Sequence, residues 1–83
     1  MTIKVLGVGC PNCQRLERHT KKALEELNQN VKVEKVEEMA DIMQYNVMST
    51  PALVVNEEVI LSGRVPSASS LSEMLEPYFA PSA

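Results

Sequence analysis

Aromatic residues are nearly missing from this chain, which holds two tyrosines, one phenylalanine and no tryptophan among 83 residues, so little surface exists on which bases could stack. No excess of positive charge makes up for it. Eight Lys and Arg stand against eleven Asp and Glu, for a net charge of −3, so no field draws in a polyanion and nucleic acid is not an expected partner. Long hydrophobic runs are lacking as well. The stretch Met1–Gly7 is too short and too soon interrupted for the apolar region of a signal peptide, and no run approaches the roughly 20 residues that span a bilayer. A cytoplasmic chain without membrane contact is therefore expected. Histidine occurs once and cysteine twice, too few to build a zinc site of four ligands unless chains share one. No repeat, linker, flavin site or nucleotide site is visible, so no bound cofactor is expected. The length allows one domain, residues 1–83, with a core over about 2–77 and a tail at 78–83. A hydrophobic share of 45% supports a folded core.

The two cysteines stand at Cys10 and Cys13, in Cys10-Pro11-Asn12-Cys13. At this spacing, near the amino end of a helix, the side chains lie on one side of a turn and can close a small, reversible disulfide. A ring so short removes little chain entropy, so stabilising the fold is a poor reason for the pair. In a reducing cytosol such a pair is more often catalytic or metal-binding than architectural. The pair reads as a redox switch or a metal clip.

Ile3, Val5, Leu6 and Val8 form an apolar run ended by Gly7 and Gly9, which suits a strand buried on both faces. From Pro11 onward Cys13, Leu16, Thr20, Ala23, Leu24 and Leu27 recur at helical spacing, with Arg15, Glu17, Arg18, Lys21, Lys22, Glu25 and Glu26 opposite. Pro11 suits the first helical position, and Asn28 and Asn30 mark the exit. Val31, Val33 and Val36 alternate with charges as a strand with one wetter face. A short helix is expected over about Met39–Tyr45, closed by a left-handed Asn46. Ala52–Val55 and Val59–Leu61 flank Asn56-Glu57-Glu58 as a hairpin. Ser67 can cap a last helix that carries Leu71, Met74 and Leu75 inward and that Pro77 ends. Ser70 with Glu73 is an alternative capping box.

With Cys10-x-x-Cys13 at a strand-to-helix junction and Thr50-Pro51 before a hairpin, the segment Val8–Gly63 resembles the thioredoxin superfamily. Tyr45-Asn46-Val47-Met48-Ser49-Thr50-Pro51-Ala52-Leu53 is similar to its segment around a cis proline. The resemblance implies an α/β, minimal thioredoxin fold of order β-α-β-α-β-β-α, a four-stranded mixed sheet flanked by helices. Cys-Pro-x-Cys and the size are glutaredoxin-like, and the group most resembled is the small glutaredoxin-like redox-active disulfide proteins, with Gly7-x-Gly9-Cys10-x-x-Cys13 as the opening. Where glutaredoxins carry Gly-Gly and an acid this chain has Ser62-Gly63-Arg64. Where thioredoxins carry an aromatic before the first cysteine it has Gly9, and near the place of their buried acid it has Lys4.

A helix N-terminus favours an anion, so Cys10 is the expected nucleophile and Cys13, one turn inward, the resolving thiol. The resemblance implies that Pro51 is cis and packs against the cysteine pair, and that Thr50 main-chain groups pair with an extended substrate. Pro11, Asn12 and Met48 complete the expected substrate-binding set. The implied partners are a disulfide-containing protein and an upstream donor of thioredoxin-reductase type, and the chain is expected to be a monomer.

Other residues have plainer readings. His19 falls about half a turn from Cys10 at roughly 3.6 residues per turn and reads as a surface histidine. Arg15, Arg18, Lys21 and Lys22 read as a solvated face ion-paired with the interleaved glutamates. Met39, Met43 and Met74 read as core filling, and Tyr45 and Tyr78 as packed rings. The competing function is soft-metal capture by Cys10 and Cys13, since Gly-x-Gly-Cys-x-x-Cys is similar to the loop of heavy-metal chaperones. Those domains end in a strand, in the order βαββαβ, and do not require Thr50-Pro51. A third reading is a redox-sensing interaction module.

Overall fold

Strand-period and helix-period stretches alternate along the chain and fold as β1 (Ile3–Leu6), α1 (Pro11–Glu26), β2 (Val33–Val36), α2 (Met39–Met43), β3 (Ala52–Val55), β4 (Glu58–Ser62) and α3 (Ala68–Phe79). The computed structural model describes residues 2–7, 11–47 and 49–79. The sheet order is β2-β1-β3-β4. β1 runs parallel to β2, with Ile3 opposite Val33 and Leu6 opposite Val36. It is antiparallel to β3, where Ile3 meets Val55 and Leu6 meets Ala52. This is the expected four-stranded mixed α/β sheet flanked by helices.

Successive side chains of a strand point to opposite faces, and the two faces are covered differently. Ile3, Val5, Val33, Leu53, Val55 and Leu61 pack with Leu16, Ala23 and Leu24 of α1 and Leu71 and Leu75 of α3. Leu6, Ala52 and Val54 pack on the other face with Ile42 of α2. β1 and β3 lie between neighbours and β3 is buried throughout, which is why their residues read as near-continuous apolar runs.

The first helix follows its sequence signals closely. It starts at Pro11 and buries Cys13, Leu16, Thr20, Ala23 and Leu24. Thr20, a polar residue in the core, donates its hydroxyl to the Leu16 carbonyl at 2.7 Å. Asn28 takes a left-handed φ of 57°. Its N–H bonds Glu25 O at 3.0 Å, and the Gln29 N–H reaches back to Leu24 O at 2.9 Å. That pair of bonds is the Schellman closure. Asn46 is left-handed too, again with φ 57°.

Several expectations are corrected. β2 begins at Val33 instead of Val31. The hairpin loop is two residues, Asn56 and Glu57, both left-handed at φ 52° and 67°, the arrangement that matches the twist of adjoining strands; Glu58 belongs to β4. Opposite Leu53 and Val54, β4 carries an extra residue, Ile60. Ser67 caps α3, its Oγ accepting from the Ser70 N–H at 3.2 Å, so Ser70 lies inside the helix and its capping box with Glu73 is not used. Pro77 does not end α3, which continues to Phe79. In the last turn its ring removes only the bond to the Glu73 carbonyl, and Phe79 packs on the main core, so the core extends past residue 77. Met39 and Met43 are exposed at 59% and 67%, and Tyr78 is exposed as well. α2 is a single short turn that buries Ile42 alone, leaving no inner face for its methionines. Met74 does pack against the core.

Candidate functional site

The carboxyl end of β1 and the first turn of α1 meet at Gly7. Its N–H continues the parallel pairing by donating to Val36 O at 3.0 Å, which fixes the backbone where the strand stops. A methyl group built at Gly7 would clash with Cys13 Sγ, stand 3.0 Å from Cys13 Cβ, and come within 4.0 Å of Pro51 Cα. Glycine is thus required here by close approach: no side chain fits between strand, sulfur and proline. Spacing along the chain marks Gly7 only as a strand terminator; the packing role comes from neighbours on other elements.

Cys13 is buried by the amphipathic stripe of α1 and is disulfide-bonded. Pro11 and Asn12 are exposed on the same first turn. Cys10 and Met48, both expected in the site, lie outside the described residues, as do Val8 and Gly9. The Thr50–Pro51 peptide bond is cis, as the resemblance implies. Pro51 is buried and Thr50 is exposed. The Pro51 carbonyl accepts from the Gly63 N–H at 2.8 Å, tying the loop to the end of β4. Gly63 is left-handed, with φ 76°, and a methyl group on it would stand 3.2 Å from Ser49 Cβ. Two glycines therefore flank the proline segment, one behind it and one beside it.

A cavity of about 90 Å³ opens against Cys13, lined by Val5, Gly7, Cys13, Gln14, Lys35 and Glu37. Lys35 also reaches Glu17 Oε1 at 3.9 Å, and Glu17 Oε2 pairs with Lys21 at 3.4 Å. The expected helical ion pairing on α1 is present there. Glu26 instead accepts from the Ser72 hydroxyl at 2.7 Å, linking α1 to α3. His19 is half-buried, not a surface side chain. Its Nδ1 donates to Pro66 O at 2.8 Å, which ties α1 to the loop before α3 and occupies the ring away from the cysteine.

Lys4 is bound on the α2 side of the sheet. Its ammonium donates to Tyr45 OH at 3.0 Å and pairs with Glu57 Oε1 at 2.9 Å, while Tyr45 OH donates to Glu57 Oε2 at 3.0 Å. The ammonium also lies 5.7 Å from the centre of the Tyr45 ring. The hydrogen bond to Tyr45, and then that to Glu57, hold the Lys4 ammonium well above its ordinary range. Lys4, and then Tyr45, hold the Glu57 carboxyl below the usual carboxylate range. This network joins β1, the segment leading to Pro51 and the hairpin turn. Tyr45 packs its ring as expected, and its hydroxyl in addition joins Lys4 and Glu57, which lie 41 and 12 positions away, too far for any local pattern to link them.

Among the described residues no group of three His, Cys, Asp or Glu side chains is assembled, and no described helix is long and apolar enough to cross a membrane.

Comparison with known proteins agrees with this geometry. A family model described as a thioredoxin domain matches residues 1–76. A protein named thioredoxin from Methanothermobacter thermautotrophicus is 36% identical over 75 residues, covering 90% of this chain and 97% of that protein. Another of that name, from Methanocaldococcus jannaschii, is 31% identical over 78 residues, covering 94% and 90% respectively.

Proposed function

This chain belongs to the thioredoxin family, and from that premise we propose that it is a thiol–disulfide oxidoreductase that reduces protein disulfides through Cys10 and Cys13. The observation that carries the reading is the convergence at Gly7 of Cys13 Sγ and the cis Pro51. Thr50, which precedes that proline, is exposed, and its main-chain groups are the proposed partners for an extended peptide paired by backbone hydrogen bonds.

Cys10 directly precedes α1 in sequence, where unpaired N–H groups and the helix dipole favour a thiolate. The Cys10 thiolate attacks one sulfur of the substrate disulfide, and the other sulfur leaves as a thiolate that takes up a proton. Cys13, one turn further along the helix, then attacks Cys10 Sγ in the mixed disulfide; the Cys10–Cys13 bond forms and the second substrate sulfur leaves. Two electrons pass from the protein dithiol to the substrate. A separate dithiol donor of thioredoxin-reductase type restores the pair. Pro11, Asn12, Thr50, Pro51 and Met48 are the proposed substrate contacts, and the cytoplasm is the proposed setting. The observed element order, with α2 between β2 and β3, differs from the βαββαβ order of heavy-metal modules, so metal capture by the two thiolates is the weaker reading.

The test is a metal-free titration against a dithiol buffer, with alkylation and mass analysis counting free thiols. A reversible two-electron transition lost in both Cys10→Ser and Cys13→Ser is expected, together with multiple-turnover reduction of a protein disulfide. Thiols that form no intramolecular disulfide across the cytosolic range would overturn the reading in favour of soft-metal capture. A transition without turnover would make the pair a sensor.

A further inference from the structure

Resolution of the mixed disulfide requires Cys13 to give up a proton, and burial away from water disfavours a thiolate. Cys13 is 6% exposed, so the proton needs an acceptor that can reach it. The 90 Å³ cavity against the sulfur has room for water, and its polar lining comes from Gln14, Lys35 and Glu37. Water in such a space needs several polar partners, and these three residues are the polar side-chain bearers along its lining.

We propose that Glu37, at the cavity mouth just beyond β2, accepts the Cys13 proton through water in this cavity. The proposal rests on the oxidoreductase reading above. The charged groups around Cys13 leave Glu37 as the acceptor. On β1, Lys4 is held on the opposite face by Tyr45 and Glu57. On α1, Glu17 is engaged by Lys21 and Lys35. On β2, Lys35 is a cation and takes up no proton, though its charge favours the thiolate as it forms. The Ser49–Thr50–Pro51 segment carries no titratable side chain. Glu37 is exposed, so it can pass the proton on to solvent.

In the step, the Cys13 S–H bond breaks and its proton passes through water to the Glu37 carboxylate. The sulfur electron pair forms the bond to Cys10 Sγ. The bond from Cys10 to the substrate sulfur breaks, and its pair leaves on a substrate thiolate.

The reduced protein can be mixed with the aromatic disulfide dithiobis(nitrobenzoate) and followed by stopped-flow absorbance. Attack by Cys10 releases the first nitrothiobenzoate in a phase that depends on reagent concentration. Attack by Cys13 releases the second in a phase that does not. In Glu37→Gln the second phase is expected to slow by roughly 100-fold near neutral pH, the lower end of the span typical of general base catalysis. The first phase should keep its rate, and the deficit should close under alkaline conditions. Glu37→Asp should recover most of the rate. Glu38→Gln, with the same loss of charge outside the cavity lining, should leave both phases unchanged. An unaltered second phase in Glu37→Gln, or equal slowing in Glu38→Gln, would overturn the proposal. Failure of the oxidoreductase reading shows differently: the unsubstituted protein would then lack the concentration-independent phase altogether.

Discussion

On the face of the sheet under α1 and α3, aliphatic side chains from four strands and two helices close a continuous core. On the face under α2 the buried cluster is Leu6, Ile42, Ala52 and Val54, and beside it a lysine, a tyrosine and a glutamate are joined by hydrogen bonds. One face is held by area removed from water, which is large and has no preferred direction. The other is held in part by charge-assisted hydrogen bonds, which are directional. The difference follows what each face supports. The thick face fixes the sheet against α1, and so the position of Cys13. The thin face carries Tyr45 and Val47, which precede Pro51 in the chain, and there a few oriented contacts set position without a deep core. Segments with few buried apolar contacts open at lower free energy than the rest of a domain, so the Pro51 approach is the part of the site expected to open first.

The strongest way to break this comparison is to truncate one core residue on each face. Leu71, fully buried between α3 and the sheet, should cost about 2–5 kcal/mol as Leu71→Ala, because surrounding helices and strands cannot close over the cavity. Ile42→Ala should fall at or below about 2 kcal/mol, since short α2 can settle into the space. Urea denaturation of both variants measures the pair. Equal costs would mean that the two faces are equally rigid and that the division drawn between them fails.

The next effect sharpens the polar side. Tyr45→Phe keeps the ring against the small cluster and removes the hydroxyl that bridges Lys4 and Glu57. A loss of about 1 kcal/mol is expected, the usual net contribution of such a bond. Amide hydrogen exchange should rise over residues 45–50 and stay unchanged in α1. A global rise of equal size everywhere would show that the network supports the whole fold instead of the Pro51 segment. Met39→Gln and Met43→Gln, on the exposed side of α2, should stay within about 0.5 kcal/mol of the parent.

Much of the thick face was legible in the sequence. The period of α1, its proline start and asparagine exit, the apolar runs of β1 and β3, and the Ser67 cap are local signals, and the structure follows them. Thr50-Pro51 also marked the cis bond in advance. The thin face was not legible, for a physical reason. A helix of one turn has too few residues to show a period, so hydrophobicity alone points Met39 and Met43 inward where the structure exposes them. The Lys4–Tyr45–Glu57 network joins residues distant in sequence, with no pattern linking them. Pro77 signals a stop by the rule for helix interiors, whereas it stands in a last turn anchored beyond it by Phe79. Gly7 and Gly63 earn their places through neighbours on other elements, which spacing along one element does not reveal.

The smallest expected effect is also the most selective. Glu57 occupies the second position of a two-residue turn with φ 67°, a conformation that suits glycine and strains other side chains. The ion pair with Lys4 and the Tyr45 hydroxyl offset that strain. Glu57→Gly removes strain and partners together, so at neutral pH its stability should lie close to that of the parent. Acid separates the two contributions. The folded-state carboxyl lies below its ordinary range because Lys4 and then Tyr45 bind the charged form. Its contribution is therefore present above the unfolded-state value and is lost as pH falls through the folded-state value. In that acid window the parent keeps the strained turn without its compensating charge, whereas the glycine variant has neither. Thermal melts across the carboxylate range should show the variant gaining on the parent as pH falls, and overtaking it. Parallel pH curves for the two proteins would mean that Glu57 contributes no charge-dependent hold on the thin face, and that the face rests on its small apolar cluster alone.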